Sequence, residues 1–411
     1  MMTFTWIFLG ALAIGTSIGF YLDARQRASV KSNRHAVPAR FAENITLASH
    51  QKAADYTLAK MQVGTIASLY ALVLILFWTL GGGLDWLDQS LRSFAFSELT
   101  TGVLFILVFT LIGSLLDLPF ALYGTFVVEQ RFGFNKMTAK LFISDAFKQT
   151  LLMLVIATPL IALILWLMAS AGHLWWLWAW VVWVSFSILM MWAFPTFIAP
   201  LFNKFEPMKD LELKAAIEGL LSKCGFESNG LYQMDGSKRS SHGNAYFTGF
   251  GKSKRIVFYD TLLEQLTTNE TLAVLAHELG HFKRNHIKKR MVSMFSIFFI
   301  GFATLGWLAQ QDWFYASLGI NQASNHTLLI LFMLVMPAFS FVLSPIMNMH
   351  SRKHEFEADD YAKEQAEATD LISALVKMYD DNASTLTPDP LYSAWHHSHP
   401  PAPVRIAHLE N

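Results

Sequence analysis

Two histidines and a glutamate occupy positions 277, 278 and 281 in the run LAVLAHELGHFKRNH. On a helix, positions i and i+4 share a face, so His277 and His281 can offer two ring nitrogens to one cation. Glu278 lies beside them, where a carboxylate can take the proton of a water polarised by that cation. The pattern predicts a hydrolytic centre with Zn2+ as cofactor, His277 and His281 as metal ligands, and Glu278 as the catalytic base. A metzincin would carry Gly at 284 and His at 287; Arg284 and Ile287 stand there instead.

The third ligand is open at this level. His286 follows on the same helix but points off the shared face. Further on, SRKHEFEADDYA (351–362) reads as a second helix with Glu355 and Asp359 at i, i+4. Two histidines and one carboxylate, with a fourth position free, is a ligand set of zinc hydrolases. Asp359 could then hold a ligating histidine by its other ring nitrogen. Glu357 faces elsewhere on that helix and is a weaker candidate.

These residues must be positioned by a largely apolar chain. Of its 411 residues, 53% are hydrophobic and only 15% charged, and the charges fall in blocks between long uncharged runs. That pattern predicts a polytopic membrane protein. Thr3–Tyr21, Val63–Leu80, Leu99–Leu116, Met291–Leu308 and Leu328–Met349 each suit one spanning helix of about 20 residues. The uncharged stretch between Lys148 and Lys204 is too long for one helix, and it divides near Ser170 to His173 into two. The first segment lacks a basic leader and reads as a retained anchor.

All of the 31 lysines and arginines except Arg92 fall in loops on one side of this arrangement. The positive-inside rule makes that side cytoplasmic, together with HELGH. The expected organisation has four parts. Residues 1–200 form an N-terminal membrane region of five transmembrane helices with a cytoplasmic loop at 120–148. Residues 201–290 form a cytoplasmic zinc-protease domain, 291–349 the sixth and seventh helices, and 350–411 the C-terminal part of the protease domain.

Within 201–290, LELKAAIEGLLSKCGF has helical periodicity ending at Gly225, and GLYQMDGS, NAYFTGFG and RIVFYD read as short strands. Thr267 and Glu270 form a capping box that starts the HELGH helix near Asn269. The KSKR run (252–255) reads as a solvated edge that could touch anionic headgroups. HPPAPVR near the end reads as a short rigid loop. Cys224 is the single cysteine, which excludes an intrachain disulfide and a cysteine-based metal site. The formal net charge of +0 offers nothing to nucleic acid.

HELGH, followed two spanning segments later by an EFEAD helix, resembles the integral-membrane CAAX prenyl endopeptidases of the type I class. Three further stretches carry the resemblance: SKRSSHGNAYFTGFGKSKRIVFYDTLL (237–263), LYSAWHHSHPPAPVRIAHL (391–409) and EQRFGFNKMT (129–138). The resemblance implies a mainly α fold in which seven transmembrane helices enclose a water-filled chamber. A zincin-like α+β metalloprotease domain would lie on the cytoplasmic side. It implies His277, His281 and Glu355 as zinc ligands, Glu278 as the base, and Asp359 as the acid behind the ligands. Asn244 would bind the substrate backbone as an added strand, His399 would stabilise the oxyanion, and Arg405 would lie nearby. Val404 stands where relatives often carry an acid.

The expected activity is zinc-dependent cleavage of peptide bonds near the C-terminus of prenylated CAAX-type substrates. A broad-specificity quality-control metalloprotease that needs no prenyl group is the rival reading. A transporter or channel would need ionisable residues deep in the spans, and almost none are there. The expected partners are a peptide or protein substrate and the bilayer, with the protein acting as a monomer. The ending IAHLEN holds no retrieval signal, which favours a bacterial inner membrane over the endoplasmic reticulum.

Overall fold

The computed structural model describes residues 2–228, 230–248 and 255–411. Among the described residues, seven helices are long and apolar enough to cross a membrane: Thr3–Asn33, Leu47–Trp78, Glu98–Glu129, Ala139–Ser170, Gly172–Leu201, His286–Leu308 and Asn325–Gln365. The long uncharged stretch does divide, and Gly172 makes the turn at φ +62, a conformation open to a residue without a Cβ. Most of these helices outrun the apolar segments read from sequence. The first extends to Asn33 and the last to Gln365, because their polar continuations keep helical hydrogen bonding beyond any bilayer boundary.

The spans have two differently built ends. At one, the short helices Gly83–Arg92 and Asp312–Ser317 close the bundle through Asp85 to the Asn321 backbone and amide, and through the buried Asp88–His326 contact at 2.6 Å. At the other, Arg25 on the first span holds both carboxylate oxygens of Asp389, and Ser29 donates to the Thr387 carbonyl. These contacts tie the C-terminal segment to the first span.

The chain beyond the fifth span builds an α+β unit at this second end. Its strands are β1 (Phe205–Pro207), β2 (Leu231–Met234), β3 (Ala245–Thr248) and β4 (Arg255–Tyr259), in the order β1-β2-β4-β3. β2 and β4 are parallel, while β1 and β3 pair antiparallel at the two edges. β1 has no counterpart in the sequence reading, since three residues around a proline carry no alternation to detect. The helix Leu211–Lys223 ends where expected, with Gly225 at φ +69.

One apolar core joins the sheet to the helices. Ile217, Ile256, Phe258, Leu262, Leu275, Leu279, Leu375 and Ile406 are all nearly inaccessible, and they come from the sheet, the helices Leu211–Lys223 and Asp260–Gln265, the HELGH helix and the C-terminal helices. Thus the 201–290 segment and the chain after 350 share a single core. Lys252 to Lys254 of the basic run lie outside the described residues.

Candidate active site

The HELGH helix runs Thr268–Lys283 and opens with the expected capping box, Thr267 and Glu270 bonding reciprocally. The Glu270 carboxylate also accepts from Ser373 Oγ at 2.7 Å and from Lys377 Nζ at 2.8 Å. Burial alone would raise this carboxyl, but Lys377 and the hydroxyl and backbone donors pull it down to about 2. A cap that began as a local signal therefore also anchors the helix Ala368–Asp381.

EFEAD lies on Ser344–Gln365, the continuation of the seventh span past a tight turn at Phe341–Leu343. This helix packs directly on the HELGH helix, and Gly280 permits the approach. A Cβ there would meet the Ala358 Cα at 2.9 Å and its carbonyl oxygen at 3.0 Å. The glycine of HELGH is thus the point at which the helices carrying His277, His281 and Glu355 touch.

Across that contact, Glu355 Oε2 lies 3.6 Å from His277 Nε2, and Oε1 lies 3.5 Å from His281 Nε2. One donor atom from each of the three falls within 4.8 Å of the others, and they form the group found among the described residues that could hold a metal ion. Ligands at 2.0–2.1 Å from a tetrahedral ion are separated by about 3.4 Å, close to the spacing seen. Glu355 is buried, and its Oε2 has no hydrogen-bond donor. A buried carboxylate oxygen without a donor is costly unless a cation meets it. The donor set and its spacing fit a divalent metal.

Each histidine is held by its other nitrogen. His277 Nδ1 lies 2.8 Å from Asp359 Oδ1, and Arg405 Nη2 lies 3.2 Å from the same nitrogen. An ionised carboxylate only accepts, so the Nδ1–H donates to Asp359 and the Nε2 lone pair faces Glu355. Arg405 is near because it grips the same carboxylate. Arg405 sits on a short helix, Ala402–Glu410, rather than in the rigid loop expected from HPPAPVR. Pro401 ends the extended stretch and lets a helix begin.

His281 is held by the residue considered as a rival ligand. Asn285 takes a left-handed conformation at φ +56, which ends the HELGH helix and turns the chain into the sixth span. That turn brings His286 Nδ1 to 3.0 Å from His281 Nδ1, while His286 Nε2 meets Glu357 Oε2 at 2.8 Å. If His286 donates to Glu357, its Nδ1 accepts from His281, and the His281 Nε2 lone pair is free for metal. Burial pushes His281 down to about 4, so the ring is neutral near pH 7, as a ligand must be. Both His286 and Glu357 were read only as possible ligands. Their supporting position depends on the left-handed turn, which Asn285 signals only weakly.

The remaining candidates Asn244, Glu278, His399 and Arg405 line the same cleft, with Ala245, His277, His281 and Glu355, around about 140 Å³. Burial raises the Glu278 carboxyl above its ordinary range, against the pull of His277 and Arg405. His399 is exposed to the cleft, with Nε2 3.4 Å from Glu355 Oε1. Asn244 precedes the edge strand β3, and its side-chain oxygen accepts from the Ala245 N–H at 2.8 Å.

Residues 26–204 match the family model described as CAAX prenyl protease N-terminal, five membrane helices, and residues 207–411 match peptidase family M48. A CAAX prenyl protease 1 homolog of Arabidopsis thaliana is 35% identical over 407 residues, covering 95% of this chain and 93% of the relative. CAAX prenyl protease 1 of Saccharomyces cerevisiae is 33% identical, covering 95% and 91%. The chain belongs to the CAAX prenyl protease family, within peptidase family M48. The crystal structure of S. mikatae Ste24p superposes with a TM-score of 0.94 at 31% identity, covering 100% of both chains. Membership makes this protein a multi-pass membrane metalloendopeptidase with a family fold of seven candidate spans and a small sheet.

Proposed function

We propose that this protein is a zinc endopeptidase that cleaves near the C-terminus of prenylated CAAX-type substrates, with its site on the cytoplasmic side of the membrane. The observation that carries the hydrolytic reading is the convergence of His277, His281 and Glu355, with Glu278 in the same cleft. The names of the relatives support the substrate class.

His277, His281 and Glu355 would hold zinc. When bound, the ion would polarise the scissile carbonyl and lower the pKa of a water. Glu278 takes the proton of the attacking water, and burial, which raises its carboxyl, favours its holding that proton. Glu278 then delivers the proton to the leaving amine. His399, beside Glu355, donates Nε2–H to the developing oxyanion. Asp359 keeps His277 in the tautomer that leaves Nε2 free, and Arg405 holds Asp359 ionised. Asn244 and the β3 edge bind the substrate as an added strand. In this role the Asn244 side chain releases the Ala245 N–H to the peptide.

The decisive experiment uses purified protein and matched farnesylated and bare peptides, with zinc measured alongside. The lipid lies away from the scissile bond, so its removal should raise KM far more than it lowers kcat. Equal kcat/KM for the two peptides would move the reading to a broad-specificity protease.

A further inference from the structure

The edge of the sheet restricts how a peptide can lie in the cleft. Among the described residues β3 pairs with β4 and no other strand, and the Asn244 carbonyl accepts from the Tyr259 N–H on that side. Backbone groups alternate along a strand, so the N–H and C=O of Ala245 and Phe247 point to the open edge. An added strand pairs more stably antiparallel than parallel. Its C-terminal part then runs back past Asn244 and Gly243 toward His242, and its N-terminal part runs forward past Tyr246.

These two directions lead to opposite surroundings. Forward, Tyr246 and Tyr259 border an apolar crevice of about 1280 Å³ with Leu111, Leu115, Phe142 and Met153 on its walls. A lipid attached upstream of the scissile bond fits that side. Backward, the His242 ring stacks on Phe134 at 4.5 Å and lies 6.5 Å from Tyr56, and the Lys60 ammonium sits 3.9 Å from the Tyr56 ring centroid.

Lys60 opens into a polar cavity of about 600 Å³ that shares His399 with the metal cleft. It is the only lysine or arginine among the described residues lining that cavity. Among the described residues its ammonium forms no ion pair, and the nearby Glu129 carboxylate accepts from the Tyr56 hydroxyl. Asp23, also on the cavity wall, would repel an anion toward the Lys60 side.

We propose that Lys60 binds the free C-terminal carboxylate of the peptide, and so sets how far from the chain end the cut falls. The proposal rests on the function stated above and names the end of the substrate that the site reads. Three extended residues beyond the scissile bond span about 10 Å, and the cavity adjoins the cleft at His399.

The test compares two farnesylated peptides of one sequence, ending in a carboxylate or a carboxamide. Wild type should favour the acid by about 10- to 100-fold in kcat/KM, chiefly through KM, as expected for a hydrogen bond to a charged group. Lys60→Met should lose most of this discrimination, and Lys60→Arg should keep it, with zinc content unchanged in both. Equal cleavage of acid and amide by wild type overturns the proposal, as does a Lys60→Met variant that retains the preference. Should Lys60→Met fail to fold, the wild-type comparison and Lys60→Arg still decide. Zinc-loaded wild type that cleaves neither peptide overturns the functional reading itself, and the Lys60 assignment falls with it.

Discussion

Arg405 grips Asp359 through Nε at 2.9 Å and through a second contact to the other carboxylate oxygen, and the same carboxylate holds His277. Asp359 is fully buried and Arg405 nearly so. The Arg405–Asp359 pair thus reaches the His277 ring through one carboxylate.

Breaking that pair leaves Asp359 as a buried anion with one partner fewer, at a cost on the order of 3–5 kcal/mol. Arg405→Ala should therefore lower the melting temperature and weaken zinc binding by about 10–100-fold. Arg405→Lys restores the charge without the fork and should recover only part of the loss. Chelator competition measures the effect, and unchanged zinc affinity in Arg405→Ala would refute the linkage.

Glu278 and Glu355 should separate base from ligand. Glu278→Gln keeps about one zinc per chain and loses turnover by several orders of magnitude, since it touches proton transfer alone. Glu355→Ala loses the metal, because it removes the carboxylate whose Oε2 otherwise lacks a partner. Metal analysis beside peptide cleavage distinguishes the two, and brisk hydrolysis by Glu278→Gln would sink the mechanism.

His286→Phe should shorten zinc retention. The ring stacks on His354 at a centroid distance of 4.0 Å, so phenylalanine keeps the volume and removes the acceptor for His281. Losing that support should raise the zinc dissociation constant by about 10–100-fold. Glu357→Gln, which can still accept from His286, should show a smaller effect. If His286→Phe bound zinc as tightly as wild type, the His281 tautomer would need no support from this side.

Glu270 supplies a pH-dependent part of stability. Its carboxyl titrates at about 2 in the fold, below its ordinary value of 4.5. A depressed pKa means the unfolded chain takes up the proton first, so this contribution is complete above about 4.5 and is lost as pH falls from there toward 2. The melting temperature in detergent should drop more steeply between pH 5 and 3 for wild type than for Glu270→Gln. Parallel curves would show that the buried cap carries no such linkage.

Topology can be read with cysteines, because the native Cys224 is buried. Cysteines at Ser93 and Ala323, near the closed end of the bundle, should react with an impermeant thiol reagent on intact cells. One at Ser222, on the α+β unit, should react only after permeabilisation, since the basic residues share its side. The reverse labelling pattern would invert the orientation.

Sequence alone determined the chemistry that is local to one element. The i, i+4 spacing of His277 and His281, the Thr267–Glu270 cap and the long uncharged runs are properties of a single helix, and periodicity exposes them directly. The division of the 148–204 stretch was legible too, because a helix longer than a bilayer must turn. Resemblance pointed to Glu355, Asp359 and Arg405, but spacing could not choose among Glu355, Glu357 and His286. Which of them faces the histidines depends on how two helices far apart in the chain pack, and on Gly280 allowing backbone contact there. The His281–His286–Glu357 relay depends on one left-handed residue, Asn285, and the direction of the β3 edge depends on strand order. Such relations arise from long-range packing, in which residues distant in the chain become neighbours only once the apolar core has formed.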